Sequence, residues 1–157
     1  MAIRNIRKQG DPVLTKVCKE VTEITPKIKE LVEDMLDTMY EAGGVGLAAP
    51  QVGILKRIVV MDCGDGAIVM INPTILEASG EQTGDEGCLS LPGKAGLVTR
   101  PNYVKVRFID DDGDECELEG TELLARCICH ECDHLDGHMY TEKVQGPLHE
   151  VTYEDED

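Results

Sequence analysis

The sequence predicts an α+β fold, with short strands grouped between two helices, and three observations carry that expectation. An amphipathic stripe runs from Thr25 to Met39, an alternating segment occupies Tyr103 to Ile109, and a second stripe lies between about Thr121 and Leu135. At 157 residues the chain suits one compact domain, and no repeat, low-complexity tract or long linker divides it. Residues 1–147 are expected to form that domain and residues 148–157 an acidic, mobile tail.

The first helix starts at Thr25, whose hydroxyl suits a cap, followed by a proline fitted to the first turn. Ile28, Leu31, Val32, Met35, Leu36 and Met39 then share one face until Gly43-Gly44 stops it. Arg57–Asp62 and Ala67–Asn72 read as short buried strands. In the alternating segment Val104, Val106 and Phe108 face one way and Lys105 and Arg107 the other, and Asp110-Asp-Asp-Gly113 reads as a hairpin turn. The second helix carries Leu124, Ile128 and Leu135 on its stripe, with Gly137 as its stop. Aromatic residues make up only 3%, so the core must be aliphatic.

A formal charge of −16, from 31 acidic against 15 basic residues, argues against direct binding to nucleic acid or anionic membranes. No run of about 18 apolar residues exists and the first residues lack a secretory apolar stretch, so a cytoplasmic protein is expected. Seven cysteines cannot all pair and are read as reduced thiols.

The second helix contains His130-Glu-Cys-Asp-His134, in which four-residue spacing puts both imidazoles on one face, one turn apart. Both can grip one metal ion, while Glu131 projects about 100° around the helix, where it can move protons. A catalytic site of this kind needs a third protein ligand. His138, Glu142 and His149 are downstream candidates, as a metalloprotease would use, and Cys88 is an upstream one in the turn-like stretch Glu86-Gly-Cys-Leu-Ser90. Cys129 and Cys132 form a C-x-x-C pair, which suggests a redox dithiol or half a zinc knuckle, but inside this helix they read as small semi-buried packing residues.

Three segments, Gly44-Val-Gly-Leu-Ala-Ala-Pro-Gln51, Glu86-Gly-Cys-Leu-Ser90 and His130-Glu-Cys-Asp-His134, together resemble the peptide deformylases in order and separation. Asp11-Pro-Val-Leu14, Arg100-Pro101 and Ala125-Arg126 extend the resemblance over roughly residues 4–143. It implies short antiparallel or mixed sheets packed around a central metal-binding helix, and removal of the formyl group from N-formyl-methionyl nascent polypeptides. It also implies that Cys88, His130 and His134 bind the metal and that water attacks the formyl carbon. By the same resemblance Glu131 would pass the proton to the leaving amine, and the Gln51 amide and Leu89 N–H would hold the oxyanion. Gly44, Val45, Gly46, Glu86 and Gly87 would bind substrate, with Leu89 and Ile128 as walls of the methionine pocket. The family points to one divalent ion, ferrous iron in the cell, although two imidazoles and a thiolate also accept zinc, nickel or cobalt. The sequence departs from the family at Cys129, where a glutamine is usual, and in its acidic end, so docking on the ribosome is left undecided.

Overall fold

A computed structural model describes residues 2–151. Two antiparallel sheets and two helices account for most of them. The first helix, α1, spans Pro26–Glu41, and Thr25 caps it by accepting a hydrogen bond from Ile28 N at 3.2 Å. Its buried face carries Ile28, Leu31, Val32, Met35 and Met39, each contributing about 1.5–3 kcal/mol on burial.

The larger sheet has the order β1-β2-β3-β6-β7, formed by Gly46–Ala48, Ile58–Met61, Ile68–Ser79, Tyr103–Ile109 and Glu115–Thr121. Its two faces bury separate clusters. Ile58, Val60 and Ile71 turn toward α1, whereas Val59, Met61, Met70, Val104, Val106 and Phe108 turn toward the second helix, α2, at Glu122–Leu135. This two-sided burial explains why Ile58–Met61 reads as a continuous apolar run. The first expected strand is trimmed by a residue at each end, and the second continues through Ser79 because it pairs along its outer half with β6. The alternating strand and its turn at Asp110–Gly113 lie where expected.

The smaller sheet, of order β4-β5-β8, comprises Gln82–Cys88, Leu91–Arg100 and Gln145–Glu150. The stretch around Cys88 is therefore the end of a strand, joined to β5 by a turn at Leu89 and Ser90. The expected tail also needs correction. Leu148, His149 and Glu150 belong to β8, which pairs with β5 through Ala95↔His149 and Lys94↔Glu150; the acidic positions 152–157 lie outside the described residues.

Both ends of α2 are tied down. At its start, Glu122 adopts φ +54, its N–H donates to Asn102 O at 3.0 Å, and its carbonyl accepts from Gln82 Nε2 at 2.7 Å. At its end, the Leu135 carbonyl accepts from Cys18 N at 2.8 Å and from Arg57 Nη1 at 3.2 Å, while Arg57 also pairs with Asp136 at 3.0 Å. Gly137 has φ +84 and packs so closely that an added Cβ would lie 2.6 Å from Thr15 O, so no other residue fits this stop.

Candidate active site

A cavity of about 460 Å³ opens between β1, at the edge of one sheet, and β4, at the edge of the other. Three elements bring their side chains to its floor. α2 supplies His130, Glu131 and His134, the end of β4 supplies Cys88, and the single helical turn Ala49–Val52 supplies Gln51. One ligand atom from each of Cys88, His130 and His134 lies within 4.8 Å of the others, and Cys88 Sγ is 3.3 Å from His134 Nε2. Gln51 accepts from Ala48 N at 2.9 Å through Oε1. That contact fixes the amide so that Nε2 donates to Ser90 Oγ at 3.0 Å and lies 3.4 Å from Cys88 Sγ.

Glu86 holds this arrangement from behind. Its carboxylate accepts from Arg100 Nη2 at 2.6 Å, Arg126 Nη1 at 2.7 Å and His130 Nδ1 at 2.6 Å. Burial alone would raise its pKa, but the hydrogen bonds from His130 and Arg100 outweigh that and bring it down to about 2. An ionised carboxylate only accepts, so His130 Nδ1 must carry a hydrogen and Nε2 is left as the free ligand atom. Arg100 continues the chain to Asp133 at 2.7 Å, and Lys143 meets the same carboxylate at 3.1 Å.

The charges in the site call for a cation. Burial pushes the His134 pKa down to about 3, helped by His130 and Arg100, so its ring is neutral with a lone pair to give. Burial disfavours charge on His130 too, but the Glu131, Cys88 and Glu86 groups around it outweigh that and raise its pKa well above normal. Burial lifts Glu131 to about 7, with His130 opposing, and its Oε1 is buried without a hydrogen-bond partner among the described residues. One thiol, two imidazoles and an unspent carboxylate oxygen fit a single divalent ion with water beside it.

Most of the expected residues gather here. Gly44, Val45, Gly46, Glu86, Gly87 and Leu89 all border the cavity. The glycines make room for neighbouring side chains, since a Cβ on Gly46 would lie 2.5 Å from Glu131 Oε2 and one on Gly44 2.7 Å from Leu89 Cδ1, and either would push that side chain aside. Two expectations need correction. Ile128 is fully buried in the core between α2 and the sheet, because it shares the stripe of Ala125 and Leu135, and is not a wall of the cavity. Glu86 reaches the cavity, but its carboxylate oxygens are spent on two arginines and His130, so it positions a ligand.

Arg100, Arg126 and the cavity-lining Ile6, Lys8 and Leu123 had no role assigned from sequence. The arginine on α2 was within reach, since Arg126 precedes His130 by one helical turn on the same face. The competing third ligands lie elsewhere: His138 pairs with Glu142 at 3.1 Å on the surface, and His149 with Asp85 at 3.1 Å. All seven cysteines are free thiols; Cys129 is buried and Cys132 half-buried, and burial raises the pKa of both.

A buried H-E-x-x-H helix with a cysteine beside its two histidines, next to a cleft between two sheet edges, has the donor set of a single-metal hydrolase. A sequence model of the polypeptide deformylase family matches residues 3–149. The peptide deformylase of Agathobacter rectalis is 76% identical over 155 residues, 99% of this chain and 98% of that protein. That of Lachnoclostridium phytofermentans is 63% identical over 160 residues, covering 100% and 98%. Among solved structures, the Thermotoga maritima peptide deformylase matches with a TM-score of 0.90 and 41% identity, over 92% of this chain and 99% of that one. The Synechococcus elongatus peptide deformylase in complex with actinonin matches with 0.88 and 42%, over 91% and 79%. The chain belongs to the polypeptide deformylase family, metalloenzymes that remove the N-formyl group from nascent polypeptides.

Proposed function

We propose that this chain, as one catalytic domain through β8, releases formate from N-formyl-methionyl polypeptides with Cys88, His130 and His134 holding one divalent ion. The observation that carries this reading is the meeting of those three donors beside the unpartnered Oε1 of Glu131. When bound, the ion would supply Lewis acidity, which lowers the pKa of water to about 7 and polarises a carbonyl. Ferrous iron is the ion in the cell by likeness to the family, while the thiolate and imidazole set also accepts zinc, nickel or cobalt.

The protein's own groups do the rest. Glu131, with its pKa near 7, takes a proton from the attacking water and delivers it to the departing amine. Gln51 Nε2, already aimed at Cys88 Sγ, and the N–H of Leu89 donate to the oxygen that gains charge. The substrate backbone lies between the free edges of β1 and β4, where Gly44, Val45, Gly46 and Gly87 let it approach closely. Leu89 gives an apolar wall to the methionine side chain. The reaction takes place in the cytoplasm on chains leaving the ribosome, without direct attraction to nucleic acid or membrane, as the net charge of −16 supports. None of the described helices is long and apolar enough to cross a membrane.

The test is formate release from formyl-Met-Ala-Ser by anaerobically prepared protein, wild type beside Glu131→Gln, with metal measured on both. The variant should lose about 10²–10⁴-fold in kcat while keeping its metal. A metal-loaded wild type that releases no formate, or a variant that keeps its rate, refutes the assignment.

A further inference from the structure

Residues 2–9 cross the molecule as a strap from α1 to the active site. At the outer end Ala2 N donates to Asp34 Oδ1 at 2.8 Å, and the Arg4 guanidinium donates to Asp34 Oδ2 from Nε at 3.0 Å and from Nη2 at 2.9 Å. Arg4 N donates to Thr38 Oγ1 at 2.8 Å, and that hydroxyl donates to Asp34 O at 2.7 Å. Asp34 and Thr38 are both buried, one turn apart on α1. A carboxylate on the buried face of a helix is destabilising unless it is hydrogen-bonded, and the strap supplies those bonds.

The inner end meets the catalytic machinery. Arg7 N donates to Gln51 O at 2.7 Å and Gln9 N to Ser90 O at 2.8 Å, while Ile6 and Lys8 border the cavity. Gln51 and Ser90 lie 39 residues apart, one in the helical turn after β1 and the other in the turn between β4 and β5, and Gln51 Nε2 donates to Ser90 Oγ at 3.0 Å. The strap thus bonds, main chain to main chain, the two residues whose side chains aim the Gln51 amide at Cys88.

We propose that Asp34 is a positioning residue for formyl removal, acting through the strap to hold Gln51 Nε2 where the oxyanion develops. The inference rests on the role given to Gln51 above. The turn Ala49–Val52 has only four residues and little rigidity of its own, so two clamps fix it: Gln51 Oε1 on Ala48 N from inside, and Arg7 N on Gln51 O from outside. Opening the Asp34 clasp frees the outer end of the strap, slackens the Arg7 clamp and lets the amide drift from its aim. A displacement of about 1 Å can cost about 100-fold in rate, and because the inner hydrogen bonds remain, a loss of about 10-fold is expected.

The experiment is a double-mutant cycle of Asp34→Ala with Gln51→Ala, read by kcat on formyl-Met-Ala-Ser with nickel-loaded protein and by the NMR signals of the Gln51 side-chain amide in zinc-loaded protein. Asp34→Ala should keep its metal and lose about 10-fold in kcat, and this loss should shrink below about twofold once Gln51 is already alanine. Its Gln51 amide protons should move toward the values of free glutamine. Thr38→Val removes only the acceptor of Arg4 N and should give the same pattern at about threefold, which carries the cycle if Asp34→Ala does not fold. Equal losses with and without Gln51 mark general structural damage and overturn the proposal, as does an unchanged kcat and amide spectrum in the folded variants. A wild type that releases no formate refutes the function proposed above, whereas the amide signals still decide whether Asp34 holds Gln51.

Discussion

Among the described residues, two places bring together three side chains that could hold a metal ion, and they differ in nearly everything else. Cys88, His130 and His134 come from two elements, with Cys88 and His134 46 residues apart in sequence. Asp110, Asp111 and Asp112 are neighbours in the turn between β6 and β7. There the Asp110 carboxylate is spent on the turn itself, with Oδ1 accepting from Asp112 N at 2.9 Å and Asp114 N at 3.0 Å. Those backbone bonds hold its pKa below normal, a fold-stabilising role that asks for no ion. In the buried cluster the supporting carboxylate, Glu86, orients His130 through Nδ1 and leaves Nε2 to face Cys88 and His134. Nearness of donors is common; burial, outside support and unspent lone pairs make a site.

Cys88→Ala sets the two places most sharply against each other. It should drop bound metal and formate release together to background, whereas Asp111→Asn with Asp112→Asn should leave both within error of wild type, read by metal analysis and turnover. Equal metal loss in the two variants would erase the distinction.

Glu86→Ala tests the support alone. It strands Arg100, Arg126 and His130 in a buried setting, with an expected loss of about 3–5 kcal/mol in urea unfolding. Metal affinity should fall about 10–100-fold, as for a lost partner of a ligating histidine. An unchanged unfolding midpoint would show that the network is not needed for stability.

The smallest effect belongs to the exposed contrast to Glu86, the pair between Asp85 on β4 and His149 on β8. The hydrogen bond from His149 to Asp85 raises the imidazole pKa above its usual 6.5. A raised folded pKa means the contribution is complete below the unfolded value and is lost as pH rises through the folded one. The imidazole should therefore titrate above 6.5 by NMR, and amide protection along β8 should decline above that point. Titration at or below 6.5 contradicts the pairing.

The parts of the molecule legible in the sequence are those whose signal is local. The H-E-x-x-H segment places its chemistry within one helical turn, and α1, β2 and β6 announce themselves by apolar period. The small sheet does not. The inward residue of β4 is Glu86, a carboxylate, and the strand holds two glycines, so a search for alternating apolar residues passes over it. β8 is exposed throughout and contains Gly146 and Pro147. Cys88 was tied to the helix by family resemblance, because no spacing rule links a β4 residue to α2. Ile128 went astray because a buried helical residue near the site looks the same in sequence whether it meets substrate or core.

The anchoring of α2 sets a mechanical tolerance for everything mounted on it. A helix clamped at Glu122 by Asn102 and Gln82, and at Leu135 to Gly137 by Arg57, Cys18 and Thr15, behaves as a beam fixed at both ends. Those contacts oppose sliding and rolling of the helix and so hold Glu131 in place relative to the β4 end. A displacement of about 1 Å can cost about 100-fold in rate. Arg57 lies outside the cavity, yet its guanidinium helps fix the helix that carries Glu131.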